Sequence, residues 1–528
     1  MSAVDDLKVA RRLGVLDPLH ALATTTALSR WGPTAAALYT AAALRHPRRL
    51  AAVDHAGSIT YGDLDRRTLR VAQALRARGL QPGDHIGLLG FNHIDFLVAS
   101  IAAAKAGLAC VYLNTGFAAP QLGEVLDRED VRALIVDNAL LGVADASGFD
   151  DIVIVADVAS APEGRSTVRD LSRETFTRPL LPSRPVAPIL LTSGTTGTPK
   201  GARRDGRPSG LSSAIGLLER IPYRSGDVTV IPTPLFHAWG LAQATITAMT
   251  ASTAVLIRTF TAEATVAALR KHHATVLAVV PVMLQRMLTA DDDGELDIAG
   301  ASDSLRIVAS SGSALPAQVG LDWMDRSGDN LYNMYGSTEV GQATLATPSD
   351  LRSAPGTAGR VVRGSSVRVV DGRGDDVHQG EVGRIVVGNA AQFSGYTGGG
   401  TKELVDGLMS SGDVGHFDSE GRLFVTGRAD DMIVSGGENV YPREVEELLL
   451  THPDIVDAAV YGVDDDDFGQ RLAAQIVKRS GGKITKRTVT TLVSSQLARH
   501  KVPRDIHFVD TLPRNTTGKL LRSQLSAG

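Results

Sequence analysis

The chain has 528 residues, of which 43% are apolar and 21% are charged, a balance that excludes a disordered or fibrous protein. A single hydrophobic core stops growing near ~250–300 residues, so this length predicts at least two domains. The formal net charge is −4 and no long lysine or arginine block occurs, which excludes nucleic acid as an expected partner.

The start of the chain and its single cysteine bear on where the protein resides. Residues 1–17 place two acids before the first basic residue and lack the apolar centre of a secretory signal. The most apolar runs reach about half of the ~20 residues that a membrane span needs, so no transmembrane span is predicted. Cys110 has no partner for a disulfide within the chain, which predicts a small core residue and a reducing, cytoplasmic compartment. A peripheral membrane contact through residues 1–17 stays open.

Two helices with recognisable ends come first. Thr60 and Asp63 form a start that resembles a capping box, and Gly79 ends the helix. Asn92 is predicted to cap a second helix, which Gly107 ends.

Short apolar runs then alternate with helical patterns. The runs that predict strands are 108–113, 131–136, 152–156, 189–191, 276–280 and 307–310. This alternation predicts an α/β fold in which helices cover both faces of a sheet. The proline-rich stretch 179–188 predicts a connection between sub-domains.

The last third of the chain changes character. Runs at 367–370 and 384–387, joined through the turn residues Asp371 and Gly372, predict a small antiparallel or barrel-like section. After residue 430 the predicted order is helix 442–450, strands 458–461 and 472–477, and helix 489–497. We therefore expect a large N-terminal domain over 1–428, made of helix-covered sheets and the barrel-like section. A small α+β C-terminal domain over 429–528 follows on a hinge.

The segment Thr192–Gly201 concentrates hydroxyls, glycines and one lysine directly after a predicted strand. Glycines let the backbone approach oxygens, hydroxyls donate hydrogen bonds, and a lysine adds positive charge, which suits a triphosphate. The segment is not a Walker-type P-loop. In that motif the lysine follows glycine and precedes serine or threonine, whereas Lys200 lies between Pro199 and Gly201. As bare composition it is equally typical of a flexible loop. The candidate phosphate ligands are Thr192, Ser193, Gly194, Thr195, Thr196, Gly197 and Lys200.

The string LTSGTTGTPKG resembles the signature loop of the acyl-adenylate-forming superfamily, which includes acyl- and aryl-CoA synthetases, peptide-synthetase adenylation domains and beetle luciferases. The resemblance covers about residues 50–525. It implies that this loop holds the β- and γ-phosphates of ATP, with Lys200 as a supporting cation. Two departures from the family pattern occur, at the glycine run 398–400 and in the adenine loop, which lacks a double glycine.

Two further motifs imply an adenine and phosphate site. A loop after the strand 307–310 resembles the adenine-packing loop, and the string NMYGSTE is similar to the aromatic-Gly-x-Thr-Glu motif. The residues assigned to adenine are Gly312, Ser313, Ala314, Asn333, Tyr335 and Gly336. Thr338 is expected at the α-phosphate, and Glu339 is expected to bind Mg²⁺ and to act in catalysis. Without the resemblance, the loop after 307–310 is typical of an ordinary β–α turn. The string NMYGSTE is then equally typical of a capped helix start.

The resemblance assigns the ribose, the hinge and the thiol channel to later strings. Asp413 is expected to hold the ribose hydroxyls, since an ionised carboxylate accepts hydrogen bonds from a diol, and Arg428 is expected to assist it. Asp430 matches the hinge about which the C-terminal domain turns. Gly437 lies in a glycine pair that would line the channel for coenzyme A. Taken alone, Asp413 reads as a turn residue.

Lys519 lies in the string LPRNTTGK, which resembles the loop of the catalytic lysine. Negative charge accumulates when a carboxylate meets an α-phosphate, and an ammonium between them stabilises that transition state. By itself, the Thr-Gly turn before Lys519 is typical of a solvated hairpin tip.

Residues 232–241, which we call the acid segment, resemble the acid-pocket motif of fatty and aryl acyl-CoA synthetases. Amino-acid-activating relatives carry an aspartate after the phenylalanine, whereas this chain has His237 there, which indicates an acid without an ammonium group. The predicted residues around the acid are His237, Trp239, Gly312 and Gly341, and His237 is also assigned to catalysis. A histidine in an apolar loop is also often structural, and Trp239 is equally typical of plain core.

These patterns together predict an acid–thiol ligase that joins a carboxylic acid, of the fatty-acid class, to AMP and then to coenzyme A. Its expected ligands are ATP, Mg²⁺, the acid and coenzyme A, and a homodimer stays open. One alternative is a fatty-acyl-AMP ligase that loads a carrier protein. The other is a catalytically silent nucleotide-binding homologue.

Overall fold

The computed structural model divides into two compact units. Unit 1 comprises Met1–Val279, Ala299–Ala309 and Ala390–Thr401, and unit 2 comprises Val280–Ile298, Ser310–Asn389 and Lys402–Gly528. The residues that the structure describes are 9, 11–12, 17–158, 162, 164–177, 179–181, 185–192, 199–203, 216–435, 438–465, 469–516 and 518–525.

Strands and helices are numbered separately in chain order. The strands are β1 Leu50–Asp54, β2 Gly57–Thr60, β3 His85–Leu89, β4 Ala109–Leu113, β5 Val131–Asp137, β6 Ile152–Ala156, β7 Ser166–Thr167, β8 Ile189–Leu191, β9 Gly201–Arg203, β10 Val228–Ile231, β11 Thr253–Leu256, β12 Val276–Val279, β13 Ile307–Ser310, β14 Leu331–Ser337, β15 Gly341–Ala346, β16 Arg360–Val361, β17 Ser365–Val370, β18 Gly383–Asn389, β19 Gly395–Tyr396, β20 Leu404–Val405, β21 Leu408–Phe417, β22 Leu423–Arg428, β23 Ile433–Ser435, β24 Glu438–Val440, β25 Ile455–Asp465, β26 Gly469–Lys478 and β27 Asp505–Val509. The α-helices are α1 Pro18–Trp31, α2 Ala35–Arg45, α3 Tyr61–Ala77, α4 Ile94–Ala106, α5 Ala119–Arg128, α6 Leu141–Ala146, α7 Val168–Leu171, α8 Ala238–Met249, α9 Ala262–Lys271, α10 Pro281–Asp292, α11 Ile298–Ala301, α12 Ala317–Ser327, α13 Pro348–Ser353, α14 Pro442–Leu449 and α15 Lys486–Gln496.

Unit 1 contains two sheets. One has the order β19-β9-β8-β4-β3-β5-β6-β7, in which the pairs from β8 to β7 are parallel and β9 pairs antiparallel to β8 and β19. The part of the other sheet that lies in unit 1 runs β13-β12-β10-β11-β1-β2, within a nine-stranded order that begins β16-β15-β14. Parallel strands need crossover connections, and helices such as α4 and α5 supply them. The predicted α/β class is confirmed.

The helix boundaries in unit 1 confirm one predicted cap and correct another. The Thr60 hydroxyl accepts from the Asp63 amide and starts α3, as predicted. For α4, however, the cap is His93, whose Nδ1 accepts from the Phe96 amide at 3.0 Å, so the assignment of Asn92 was wrong. The Asn92 side chain is buried and donates to the Thr233 carbonyl at 2.9 Å, a long-range contact that sequence spacing does not reveal.

Unit 2 contains antiparallel sheets and the C-terminal part of the chain. The strands β17, β18, β21 and β20 form a sheet in that order, with β22 on β21, where the antiparallel section was predicted. The order β24-β23-β26-β25 forms another sheet. The strand β27, which the sequence analysis missed, pairs parallel to β26. A buried apolar cluster between Ile433 and Ile506 lies within this C-terminal part, and the domain boundary after Arg428 stays a prediction.

Two expectations about the chain as a whole can be compared with the described residues. None of the helices described is long and apolar enough to cross a membrane. Cys110 is buried in β4, and burial raises the pKa of its thiol to about 12, which fits the predicted core residue.

Candidate active site

Three predicted nucleotide residues meet in unit 2. Asp413 in β21 and Arg428 in β22 are cross-strand partners, so the sheet register places both side chains at one end of the strand pair. The Tyr335 hydroxyl of β14 donates to Asp413 Oδ2 at 2.6 Å. Arg428 Nη1 lies 3.7 Å from Asp413 Oδ1. We call Tyr335, Asp413, Arg428 and Asp430 the nucleotide cluster.

Asp430 joins this cluster through Arg428. Arg428 Nε lies 2.7 Å from Asp430 Oδ1, and Nη2 lies 3.0 Å from Asp430 Oδ2, so the two groups form a bidentate pair. The motifs predict a hinge role for Asp430 and a ribose role for Arg428, and nothing in them indicates that the two side chains bind each other. The guanidinium therefore lies between the predicted ribose carboxylate and the predicted hinge carboxylate.

Burial and mutual charge set the protonation of the cluster. Burial raises the pKa of Asp413, while its hydrogen bond from Tyr335 and the charge of Arg428 act in the opposite direction. The hydrogen bond from Arg428 lowers the pKa of Asp430, so that carboxylate is ionised at neutral pH. Burial also raises the pKa of Tyr335 well above its usual value, which keeps its hydroxyl a hydrogen-bond donor.

Lys519 lies in a short hairpin in the same unit. Arg514 and Leu520 form an antiparallel bridge, the Gly518 amide donates to the Asn515 carbonyl at 2.8 Å, and the Lys519 amide donates to Asn515 Oδ1 at 2.9 Å. We call the described residues 514–516 and 518–520 the lysine hairpin. Burial first, and then the charge of Arg428, lower the pKa of the Lys519 ammonium, while Asp413 and other nearby carboxylates raise it. Lys519 therefore lies within electrostatic range of the nucleotide cluster.

The adenine loop and the lysine hairpin contact neighbouring valines in unit 2. Gly518 has a φ of +79°, and a Cβ there would collide with the Val282 side chain. A Cβ on Gly312 would lie 3.3 Å from Val280 Cγ1. Gly312, Ser313 and Ala314 are exposed. The backbone of this loop is thus accessible to a flat ligand, and glycine is required where the hairpin meets α10.

Asn333 carries the polar atom that best fits an adenine. Its side chain is buried in β14, and its Oδ1 accepts no hydrogen bond from the residues that the structure describes. A buried acceptor without a donor is costly, and the amino group of adenine is a donor. Asn333 therefore fits its predicted role.

The metal and α-phosphate residues lie where β14 turns into β15. Thr338 and Glu339 are half-buried, and the Ser337 hydroxyl donates to Glu339 Oε2 at 2.9 Å. Gly341 has a φ of +72°, and a Cβ on Gly336 would collide with its carbonyl oxygen. Carboxylate and hydroxyl oxygens are the hard donors that Mg²⁺ prefers, so this turn fits a metal ion shared with phosphate oxygens.

The phosphate loop is described at its two ends, in unit 1. The Thr192 amide donates to the Lys200 carbonyl at 2.9 Å, which continues the antiparallel pairing of β8 with β9. Lys200 Nζ lies 5.5 Å from the centre of the Tyr396 ring. The predicted ligands Ser193, Gly194, Thr195, Thr196 and Gly197 lie outside the described residues, as does Gly437.

The acid segment, also in unit 1, leads into α8. His237 precedes this helix, and its Nε2 is buried without a hydrogen-bond partner among the described residues. Burial lowers the pKa of His237 to about 4, so the ring is neutral at physiological pH. Trp239 is 7% exposed and donates from Nε1 to the Val279 carbonyl at 3.1 Å. Trp239 is therefore an anchored core residue, whereas His237 keeps an unpaired polar atom.

The chain matches two known family models. A family model for the AMP-binding enzyme matches residues 39–397, and the model for the AMP-binding enzyme C-terminal domain matches residues 444–519. The chain belongs to the AMP-binding enzyme family. The predicted acyl-adenylate-forming superfamily is thereby confirmed, as is the class of AMP-forming acid–thiol ligase at the level of the family.

Individual relatives of this AMP-binding enzyme cover nearly its whole length. It is 32% identical over 481 residues to a fatty acid–[acyl-carrier-protein] ligase, ScoC, of Streptomyces coeruleorubidus, covering 89% of this chain and 91% of that protein. It is 32% identical over 493 residues to an indoleacetate–CoA ligase of Aromatoleum aromaticum, covering 92% and 94%. The crystal structure of ATP-bound MatB from Rhodopseudomonas palustris matches with a TM-score of 0.79 and 29% identity, covering 90% and 94%.

Proposed function

We propose that this AMP-binding enzyme activates a fatty acid with ATP and transfers the acyl group to coenzyme A, releasing pyrophosphate and AMP, in the cytoplasm. The observation that supports this most directly is that the lysine hairpin and the adenine loop lie against the neighbouring residues Val282 and Val280 in one unit, with Lys519 within electrostatic range of Asp413 and Arg428. An ammonium within electrostatic range of the proposed ribose ligands could reach an α-phosphate and stabilise the charge that develops there.

In the first half-reaction, a carboxylate oxygen of the acid attacks the α-phosphorus of ATP, and the bond to the β-phosphate oxygen breaks. Asp413 accepts from the ribose hydroxyls, Asn333 accepts from the adenine amino group, and Lys519 neutralises the charge that develops at the α-phosphate. Thr338 donates to the same phosphate. Magnesium bound at Glu339 would supply further positive charge to the phosphate oxygens.

In the second half-reaction, the thiol sulfur of coenzyme A attacks the acyl carbon, and the acyl–phosphate bond breaks to release AMP. We propose that the chain turns at Asp430 between the two steps, so that Lys519 leaves and the segment with Gly437 approaches. Because Arg428 binds Asp430 and also faces Asp413, a rotation of the chain at Asp430 would also move the Arg428 guanidinium relative to Asp413.

The acid segment supports an acid without a charged substituent. Phe236 and Trp239 are buried, and His237 is neutral at physiological pH. The string PTPLFHAWGL contains no aspartate or glutamate that could pair with an ammonium group on the substrate. A fatty acid is our proposal, and an aryl acid is the competing outcome, since one relative is named as an indoleacetate–CoA ligase. Another relative is named as an acyl-carrier-protein ligase, which makes a carrier protein the second candidate acceptor.

Acid-dependent exchange of pyrophosphate into ATP tests the first half-reaction. We expect exchange with fatty acids of graded length and weaker exchange with aryl acids of equal volume. Adding free coenzyme A or a phosphopantetheinylated carrier protein then separates the two acceptors. The proposal would be contradicted if only amino acids supported exchange, or if none of the acids tested supported it.

Lys519→Ala tests the assignment of the catalytic lysine. Loss of one group that stabilises developing charge lowers a rate by about 10²–10³, so we expect exchange to fall by that factor. Thioester formation from supplied acyl adenylate should be retained. Lys501→Ala is the matched control, because Lys501 lies in the same unit and pairs with Glu444 at 2.6 Å. Equal loss of both half-reactions in Lys519→Ala would contradict the role of Lys519.

A further inference from the structure

The lysine hairpin begins with a charged pair that the sequence analysis did not single out. Arg514 Nη2 lies 2.9 Å and 2.8 Å from the two carboxylate oxygens of Asp457 in β25, and Nε lies 3.2 Å from Oδ2. The Arg514 side chain is 18% exposed and the Asp457 side chain is 16% exposed. A guanidinium held by both carboxylate oxygens has a fixed orientation as well as a fixed position.

The remaining nitrogen of Arg514 is directed at the hairpin tip. Its Nη1 donates to the carbonyl oxygen of Gly518 at 2.8 Å. Gly518 directly precedes Lys519, so this bond holds the peptide from which the Lys519 side chain begins. The planar guanidinium of Arg514 thus links the strand β25 to the peptide group between Gly518 and Lys519.

Two further hydrogen bonds fix the shape of the hairpin. Asn515 and Lys519 exchange bonds, since the Asn515 amide donates to the Lys519 carbonyl at 2.9 Å and the Lys519 amide donates to Asn515 Oδ1. Both partners belong to the hairpin itself. The bond from Arg514 differs because its anchor, Asp457, lies more than fifty residues earlier in the sheet.

We infer that Arg514, anchored by Asp457, is a positioning residue that sets the location of Lys519 for adenylate formation. The inference rests on the proposed function, in which Lys519 acts at the α-phosphate. A lysine ammonium is a compact charge on a flexible stem, so its reach depends on where its backbone is held. A displacement of about 1 Å at a reacting group costs about a hundredfold in rate.

Arg514→Lys tests this inference, because a lysine ammonium is a single point charge and lacks the planar fork by which the guanidinium reaches Asp457 and the Gly518 carbonyl with different nitrogens. We expect pyrophosphate exchange to fall by about tenfold to a hundredfold, while thioester formation from supplied acyl adenylate stays within about twofold of the wild type. Arg471→Lys is the matched control. Arg471 lies 2.8 Å from Asp505 and donates to the Asp464 carbonyl at 3.1 Å, which is the same chemistry away from the hairpin.

A double variant separates positioning from general destabilisation. When Lys519 is already alanine, Arg514→Lys has no ammonium left to misplace, so we expect no further loss in the rate of adenylate formation in a single-turnover assay. Equal loss of both half-reactions in Arg514→Lys, or a further loss in the double variant, would overturn the inference. Unchanged exchange in Lys519→Ala alone would instead refute the proposed function.

Asp457→Asn provides a second route if Arg514→Lys does not fold. It keeps the size of the side chain and removes the charge that holds the guanidinium. We expect the same selective loss of exchange, with thioester formation retained. Wild-type exchange in a folded Asp457→Asn enzyme would overturn the inference.

Discussion

The nucleotide cluster and the acid segment present their polar groups in opposite ways. In the cluster, Tyr335 and Arg428 already bind or face carboxylates, so charge is present but paired. In the acid segment, His237 keeps a buried nitrogen that has no hydrogen-bond partner within the described part of the chain, and burial lowers its pKa to about 4. Paired charges are suited to a polar ligand that replaces existing bonds, whereas a neutral apolar segment favours an uncharged acyl group.

The largest expected effect that separates the two regions is at Asp413. Asp413→Asn leaves the shape but replaces a charged acceptor for the ribose hydroxyls with a neutral amide. Because hydrogen bonds to charged groups are worth about 1.5–3 kcal/mol each, we expect the KM for ATP to rise by about a hundredfold. The KM for the acid should change little. Initial rates of pyrophosphate exchange, measured once at varied ATP and once at varied acid, give the two KM values.

Asp418→Asn is the control for Asp413, since Asp418 follows the same strand and its Oδ2 lies 2.7 Å from Arg422 Nε. We expect the ATP dependence of this variant to match the wild type. A loss in Asp413→Asn that appears equally for ATP and for the acid would mean that the two regions are not separate in function.

A smaller effect, on the kinetics of the acid and not on those of ATP, is expected at His237. His237→Phe keeps an aromatic ring but removes the unpaired nitrogen, so a hydrogen bond to the acid or its adenylate is lost. Loss of one such bond in an apolar site costs about 1.4 kcal/mol, so we expect kcat/KM for the acid to fall about tenfold. The KM for ATP should stay unchanged. His237→Asn, which retains a donor, should recover part of the loss, and an equal defect in both variants would argue for a purely structural histidine.

The smallest effect is expected in the pH dependence near neutrality. Lys519 assists adenylation as an ammonium, and its pKa is lowered, so activity should fall with rising pH sooner than for an ordinary lysine. His237, with a pKa of about 4, should add no change between about pH 6 and pH 8. Pyrophosphate exchange measured across pH avoids the titration of the coenzyme A thiol. Lys519→Arg should remove the alkaline decline, because a guanidinium stays charged.

Local patterns determined much of the fold. The α/β class, strands such as β4, β5 and β6, the Thr60 cap and part of the C-terminal α+β elements could be predicted, because hydrophobic period and capping residues act within a few positions. The strands β3, β10 and β11 were missed. The cap at α4 could not, since Asn92 satisfies its side chain with the distant Thr233 carbonyl and leaves the cap to His93. The strand β27 was missed because it is defined by pairing with β26 rather than by its own pattern.

For the site, the sequence by itself determined which residue types are present and their family, because the motifs carry charged and hydroxyl groups in a recognisable order. Only the tertiary structure decided how these groups pair. The bonds from Tyr335 to Asp413 and from Arg514 to Asp457 join residues that are 78 and 57 positions apart, and they depend on how the strands and the hairpin pack together. Such long-range geometry is fixed by packing of the whole unit, which no local spacing encodes.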